Sequence, residues 1–266
     1  MAMSLQEREH SSFVIQPATA EEAAKLLQSL EGEAAIVAGG TLLRTHWEAG
    51  TAAIPRYMID LGGLPGITGI TNSDSGLMIG AMTPLSVCRA SSLIQNAFPL
   101  LTEACRSIAA PSIRNLATLG GNIVSAIGDA IPALLVYEAV LCWHDGMQEQ
   151  RELLADWLRQ PRKGRILLRV ELPFSYTEEM NSNMKRFTAF HKIGRREAFT
   201  PSVVTAAVDG WLDTSTGCWG KFALRLAGAK RQRPGWKRSN SCCRGTRLEQ
   251  HCFPKCTPKF CMNLSR

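Results

Sequence analysis

Long apolar runs are missing from this chain of 266 residues. The longest, residues 131–142, is interrupted by Pro132 and Glu138 and is too short to cross a bilayer. Residues 1–12 are polar and mixed in charge, without the apolar core of a secretory leader. A cytoplasmic protein that makes no use of a membrane is expected. Paired cysteines are also missing up to residue 229. Cys88, Cys105, Cys142 and Cys218 stand singly there and read as buried apolar side chains. An iron–sulfur cluster needs four cysteines or close equivalents, so this body supplies no ligand set for one. There is no G-x-G-x-x-G fingerprint of a Rossmann dinucleotide site. No Ser/His/Asp nucleophile set stands out either, since His10, His46, His144, His191 and His251 are scattered. A lone histidine is more often structural than catalytic.

The formal net charge of +7 is an uneven sum. Residues 1–229 carry −2, whereas residues 230–266 carry +9. The basicity belongs to the tail, and a basic run is usually a solvated segment rather than a nucleic-acid patch. No nucleic-acid partner is expected. The tail also collects Cys242, Cys243, Cys252, Cys256 and Cys261. Their spacings, with His251, match no standard zinc pattern, so no metal site is expected. The joint shift in charge and cysteine usage from about residue 235 suggests a reading-frame change or a truncated, decayed gene.

Two short glycine segments carry most of the remaining information: Val37-Ala38-Gly39-Gly40-Thr41 and Thr118-Leu119-Gly120-Gly121-Asn122. Without a Cβ, glycine lets the backbone turn sharply and brings its N–H groups up to a ligand. Successive free N–H groups make a concave anion site of the kind that suits a pyrophosphate. Two such segments, one on each side of an extended phosphate, would clamp a dinucleotide. A Gly-Gly pair says nothing by itself, because Gly62-Gly63 makes a third one in this glycine-containing chain.

Hydrophobic spacing places these segments. Residues 18–30 read as a helix, with Thr19 as N-cap, Glu22 at the capping-box position and Gly32 ending it. Residues 34–38 form a short buried strand running into the first glycine segment. Residues 57–61 and 77–79 read as strands. Residues 97–109 look helical, and Pro111 then predicts an extended approach to the second segment. Residues 131–139 resemble a helix with Pro132 in its first turn, and Asp129 just ahead is either its N-cap or a cofactor contact. Residues 165–172 read as a strand, and 175–184 as a linker. Residues 187–192, 203–211 and 222–227 are consistent with an antiparallel sheet.

The run from Ile36 to Leu43, then Ile59-Asp60-Leu61, then Leu77 to Leu85, resembles the FAD-binding medium subunits of molybdenum hydroxylases such as xanthine and carbon monoxide dehydrogenases. So does Ile113-Arg114-Asn115-Leu116-Ala117-Thr118-Leu119-Gly120-Gly121-Asn122-Ile123, followed by Asp129 and Pro132-Ala133-Leu134. The order and spacing match over roughly residues 12–230. The second segment, with its Ile-Arg-Asn lead-in, is the most specific piece.

The resemblance implies an α+β chain: a two-part FAD domain of the p-cresol methylhydroxylase (PCMH) and vanillyl-alcohol oxidase type, then a smaller α+β domain. The corresponding divisions are 1–176, split near 55–60, then an incomplete 184–234, then an atypical tail, 235–266. It implies that Ile36, Val37, Ala38, Gly39, Gly40, Thr41, Leu42 and Leu43 hold the diphosphate and adenosine side of FAD. Thr118, Leu119, Gly120, Gly121 and Asn122 would be the second clamp, with Asp129 and the Leu167 backbone near the cofactor. The family's lysine after a Phe falls at His191 here, with Lys192 one place later, leaving open which of the two faces the flavin. The implied function is an electron-transfer subunit of an oxidoreductase. Electrons would enter from an iron–sulfur subunit, leave to NAD⁺, and originate at a separate molybdopterin subunit that oxidises xanthine or a related heterocycle. A stand-alone flavin oxidoreductase, or an assembly protein that has lost FAD, are the alternatives.

Overall fold

The computed structural model describes residues 12–161, 163–174, 183–195, 202–215 and 219–228. The tail from residue 229, most of the expected linker, and Cys218 lie outside them.

The first layer is a small parallel sheet in the order β1-β3-β2, built from β1 (Phe13–Ile15), β2 (Ala34–Val37) and β3 (Tyr57–Asp60). Between β1 and β2 runs α1 (Ala20–Ser29); between β2 and β3 runs α2 (Thr41–Glu48). The start of α1 follows the capping logic. Thr19 Oγ1 accepts the Glu22 N–H at 3.1 Å, while the Glu22 carboxylate reaches back to the Ala18 N–H at 2.8 Å. Ala23 and Ala24 are fully buried under this helix. They share a core with Ile59, Leu61, Leu64 and Ile67, and with Ile166 and Leu168 from much later in the chain. Small alanines let the helix approach closely, and the late strand closes the core.

That late strand, β8, belongs to a five-stranded antiparallel sheet of order β4-β5-β8-β6-β7. Its members are β4 (Ile70–Ser73), β5 (Gly76–Gly80), β6 (Val140–His144), β7 (Glu149–Leu153) and β8 (Ile166–Pro173), with α9 (Leu154–Arg159) between the last two. Inserted between β5 and β6 are six short helices: α3 (Leu85–Ala90), α4 (Ser92–Ala97), α5 (Pro99–Ser107), α6 (Pro111–Leu116), α7 (Leu119–Val124) and α8 (Ile131–Val136). They pack one large core around Leu85, Phe98, Leu101, Ile123, Leu134 and Tyr137.

Three local expectations are corrected here. The helix expected over 97–109 begins at Pro99, because the residue before a proline is pushed out of the α region and Phe98 sits at φ −130° and ψ 57°. Pro111 does not lead an extended approach. Ala110 is extended, but Pro111 opens α6, where its missing N–H costs nothing, and the chain is extended again only after that helix, at Ala117 and Thr118. The second glycine segment is the first turn of a helix, α7, rather than an open loop.

A third sheet closes the described chain: β9 (Met184–Gly194), β10 (Ser202–Asp213) and β11 (Trp219–Gly228), antiparallel with β10 central. It lies against α5 and α8. Arg186 of β9 fastens it, donating to both carboxylate oxygens of Asp209 (3.1 and 2.5 Å) and to the Ala97 carbonyl (3.2 Å). The same guanidinium lies over the Tyr137 and Trp211 rings.

Candidate functional site

In the parallel layer, β2 is an edge strand, and residues 38–40 leave its carboxyl end. That end is where ligands settle on parallel strands. Gly40 takes φ +66° and begins α2 without any side-chain cap. Bulky residues avoid this left-handed conformation, and glycine adopts it without penalty. The first intrahelical bond runs from the Arg44 N–H to Gly40 O at 2.9 Å. The N–H groups of Gly39, Gly40, Thr41, Leu42 and Leu43 therefore have no acceptor among the described residues. These five donors converge at the positive end of a two-turn helix, an arrangement that selects an anion. Ile36 and Val37 belong to the strand behind them, Ile36 packing on the first core.

The second segment is used differently. Four of its N–H groups are spent inside the protein. Leu119 donates to Thr83 O (3.0 Å), Gly120 to Ala81 O (2.8 Å), Gly121 to Thr118 Oγ1 (3.1 Å) and Asn122 to Thr118 O (3.0 Å). These four donors are therefore not free for a phosphate. Gly120 has a packing reason instead: a Cβ there would meet Ala81 O at 2.7 Å and Ala81 Cβ at 2.8 Å. Asn122 turns its Oδ1 to the Ala130 N–H (3.2 Å) and organises the turn before α8.

The two segments nevertheless come together. A Cβ on Gly39 would lie 1.8 Å from the Leu116 carbonyl oxygen and 3.1 Å from Ala117 Cα. Leu116 and Ala117 are the residues that lead into the second segment, so its backbone forms the wall behind the first. That wall is itself anchored, since the Leu85 N–H donates to Ala117 O at 2.8 Å.

Asp129 is not the N-cap of α8; Ala130 holds that position, with no side-chain cap bond. The Asp129 carboxylate instead pairs with Lys192 Nζ at 2.6 Å and accepts from Thr205 Oγ1 at 3.1 Å. Lys192 also donates to the Ser107 carbonyl at 3.3 Å. Strand alternation separates the two residues left open by sequence: Lys192 points inward to Asp129, and His191 lies on the exposed face of β9. Leu167 is buried in the second core and pairs with Trp143 across a β-bulge. The Leu168 carbonyl, beside it, accepts the Ala81 N–H at 2.9 Å and so ties β8 to the floor of the second segment. Arg114, absent from the expected set, is buried within this neighbourhood. The Ile-Arg-Asn lead-in was the signal for it.

The residues present fit a dinucleotide cofactor. Five donors without an acceptor among the described residues offer a place for a diphosphate, and the Leu116–Ala117 backbone packs against Gly39 where they begin. Residues 7–175 match the FAD binding domain in molybdopterin dehydrogenase. The chain belongs to this family, the FAD-binding subunits of molybdenum hydroxylases.

Relatives of this FAD-binding subunit bracket several chemistries. It is 34% identical over 141 residues to the carbon monoxide dehydrogenase medium chain of Hydrogenophaga pseudoflava, covering 53% of this chain and 49% of that one. It is 36% identical over 132 residues to the xanthine dehydrogenase FAD-binding subunit of Escherichia coli O157:H7, covering 48% and 44%. The match to the nicotinate dehydrogenase FAD-subunit of Eubacterium barkeri is longer, 26% over 231 residues, covering 80% and 76%. The chain thus spans about half the length of the first two. A solved carbon monoxide dehydrogenase from Hydrogenophaga pseudoflava superposes with a TM-score of 0.71 at 23% identity, covering 81% of this chain and 74% of that one. Quinoline 2-oxidoreductase from Pseudomonas putida 86 gives 0.68 at 21%, covering 81% and 73%. These likenesses show the α+β fold.

Proposed function

We propose that this chain is the FAD-binding electron-transfer subunit of a xanthine dehydrogenase-like molybdenum hydroxylase. It receives electrons from an iron–sulfur subunit and delivers them to NAD⁺, and a molybdopterin subunit oxidises a purine or related heterocycle. The observation that carries the FAD assignment is the row of five N–H groups from Gly39 to Leu43 without an acceptor among the described residues, beginning where Gly39 packs on the Leu116–Ala117 backbone. FAD bound there supplies the capacity to take up and release one or two electrons. The protein's part is to hold it and orient it.

The division into a FAD domain over 1–176, a shorter unit over 184–234 and the tail over 235–266 belongs to the same reading, as does a cytoplasmic location. None of the described helices is long and apolar enough to cross a membrane. Among the described residues, Cys88, Cys105 and Cys142 are each buried and form no disulfide. Xanthine and NAD⁺ are the proposed substrate and acceptor within a resemblance that covers xanthine and carbon monoxide dehydrogenases alike, and the relatives named for carbon monoxide and nicotinate leave room for other substrates.

The full chain, reconstituted with FAD and freed of excess cofactor, should show the visible flavin band at one equivalent. NADH should bleach that band anaerobically, and a tagged chain should co-purify with iron and molybdenum. A colourless chain that still assembles would leave only the assembly-protein alternative. A coloured chain that never binds the other subunits would favour a stand-alone flavin oxidoreductase.

A further inference from the structure

Arg114 is a buried cation close to the candidate site. Its side chain is 6% exposed, and it has no carboxylate partner among the described residues. Nη1 instead points at three main-chain carbonyls: Ile108 at 2.8 Å, Ala109 at 2.5 Å and, more weakly, Arg106 at 3.4 Å. These oxygens end α5, where the last carbonyls of a helix lack intrahelical donors and carry partial negative charge. The chain turns there through Ala109 at φ 42°, a left-handed conformation unusual for a residue with a Cβ. The fourth carbonyl of the turn, Ser107, is taken by Lys192. Two cations thus grip four successive carbonyls, and one of those cations is already bonded to Asp129.

What this grip positions is visible at the other end of α6. Arg114 lies in the only helical turn between the strained Ala109 and the Leu116 carbonyl that abuts Gly39. α6 is a bare six residues, too short to hold its own place by internal hydrogen bonds. Arg114, in its last turn, ties it back to the end of α5, and the Ala117 carbonyl just beyond it is held by the Leu85 N–H. We propose that Arg114 is a positioning residue for the cofactor site. It sets α6 so that the Leu116–Ala117 peptide backs the Gly39–Leu43 donors, and it holds the Ser107 carbonyl toward Lys192. It acts through these groups and touches no cofactor atom in this role. The inference rests on FAD being the occupant of that site.

The test uses the full chain. Arg114→Met keeps length and removes every donor; Arg114→Lys keeps charge but loses the planar fork. Leu101→Ala, in the fully buried core of α5, serves as a control that lowers stability without touching the grip. FAD affinity is read by flavin fluorescence, and stability of the cofactor-free chain by urea unfolding. Arg114→Met should weaken FAD about tenfold or more, with Arg114→Lys recovering part of the loss and Leu101→Ala leaving affinity near wild type. Added guanidinium at millimolar concentration should restore part of the affinity of Arg114→Ala, which has room for it. Wild-type affinity in Arg114→Met, or an equal loss in Leu101→Ala, would overturn the proposal. Should Arg114→Met fail to fold, Arg114→Lys decides: weaker FAD at an unchanged urea midpoint supports the proposal, and unchanged affinity overturns it. A wild-type chain that binds no FAD at all would instead remove the functional reading beneath it.

Discussion

The Cα of Gly39 rests against the Leu116 carbonyl so closely that a β-carbon would fall 1.8 Å from its oxygen. No real Cβ tolerates that distance, so Gly39→Ala must push the two segments apart. Gly40 is different: a Cβ there would meet only the tip of Val37 at 3.8 Å, and the obstacle is its φ of +66°. Gly39→Ala should therefore weaken FAD by roughly tenfold or more, about 1.4 kcal/mol. Gly40→Ala carries a conformational cost of about 1–2 kcal/mol, which Gly40→Asn should largely avoid because asparagine tolerates the left-handed region. FAD titration of the three variants checks the order. Equal affinity for Gly39→Ala and wild type would refute the wall.

Gly120 predicts a different phenotype. Its Cβ would strike the backbone of Ala81, and its own N–H is bonded to that residue. Gly120→Val should destabilise the cofactor-free chain by about 1–3 kcal/mol, as overpacking does. Urea denaturation is the measurement, and FAD loss should follow unfolding rather than precede it. A variant as stable as wild type yet unable to bind FAD would mean that Gly120 faces the cofactor after all.

Lys192 and His191 are adjacent in sequence and opposite in role. Lys192→Met strands the Asp129 carboxylate, whose side chain is 11% exposed beside the lysine's 15%. The expected cost is about 2 kcal/mol, below the full penalty for breaking a wholly buried pair. Asp129→Asn should cost less in the Lys192→Met background than alone, since the pair is one interaction. His191→Gln, on the exposed face, should change stability by about 0.5 kcal/mol or less. A double-mutant cycle that shows simple additivity would contradict the pairing.

Cys142 should be inert in the native protein. Burial, helped by its hydrogen bond to the Glu171 carboxylate at 3.0 Å, pushes its thiol up to about 12. At pH 8 the thiolate fraction is then on the order of 10⁻⁴, far below that of an ordinary cysteine. Because the folded value lies above the unfolded one, the stability this thiol contributes is present below about pH 8.5 and is lost as pH rises toward 12. Iodoacetamide followed by peptide mass analysis should label Cys142 in denaturant and leave it unlabelled in buffer. Rapid native labelling would show that the strand opens.

Much of this protein was legible from its residues alone. Thr19 and Glu22 announce the start of α1, because a cap is a contact between near neighbours in sequence. The three apolar runs after residue 184 declare an antiparallel sheet by their period of two. The two glycine pairs and their flanking motifs point to the family, since a backbone that must turn or approach closely leaves little choice of residue. Tertiary structure decided how each glycine is used. Gly40 frees donors by its conformation, Gly39 makes room for Leu116, and Gly120 makes room for Ala81, yet all three are the same letter. It also decided that Asp129 pairs with Lys192 across 63 positions rather than capping the helix beside it. Local sequence encodes bonds to near neighbours; a carbonyl such as Leu116 O becomes a wall for Gly39 only when distant segments pack together.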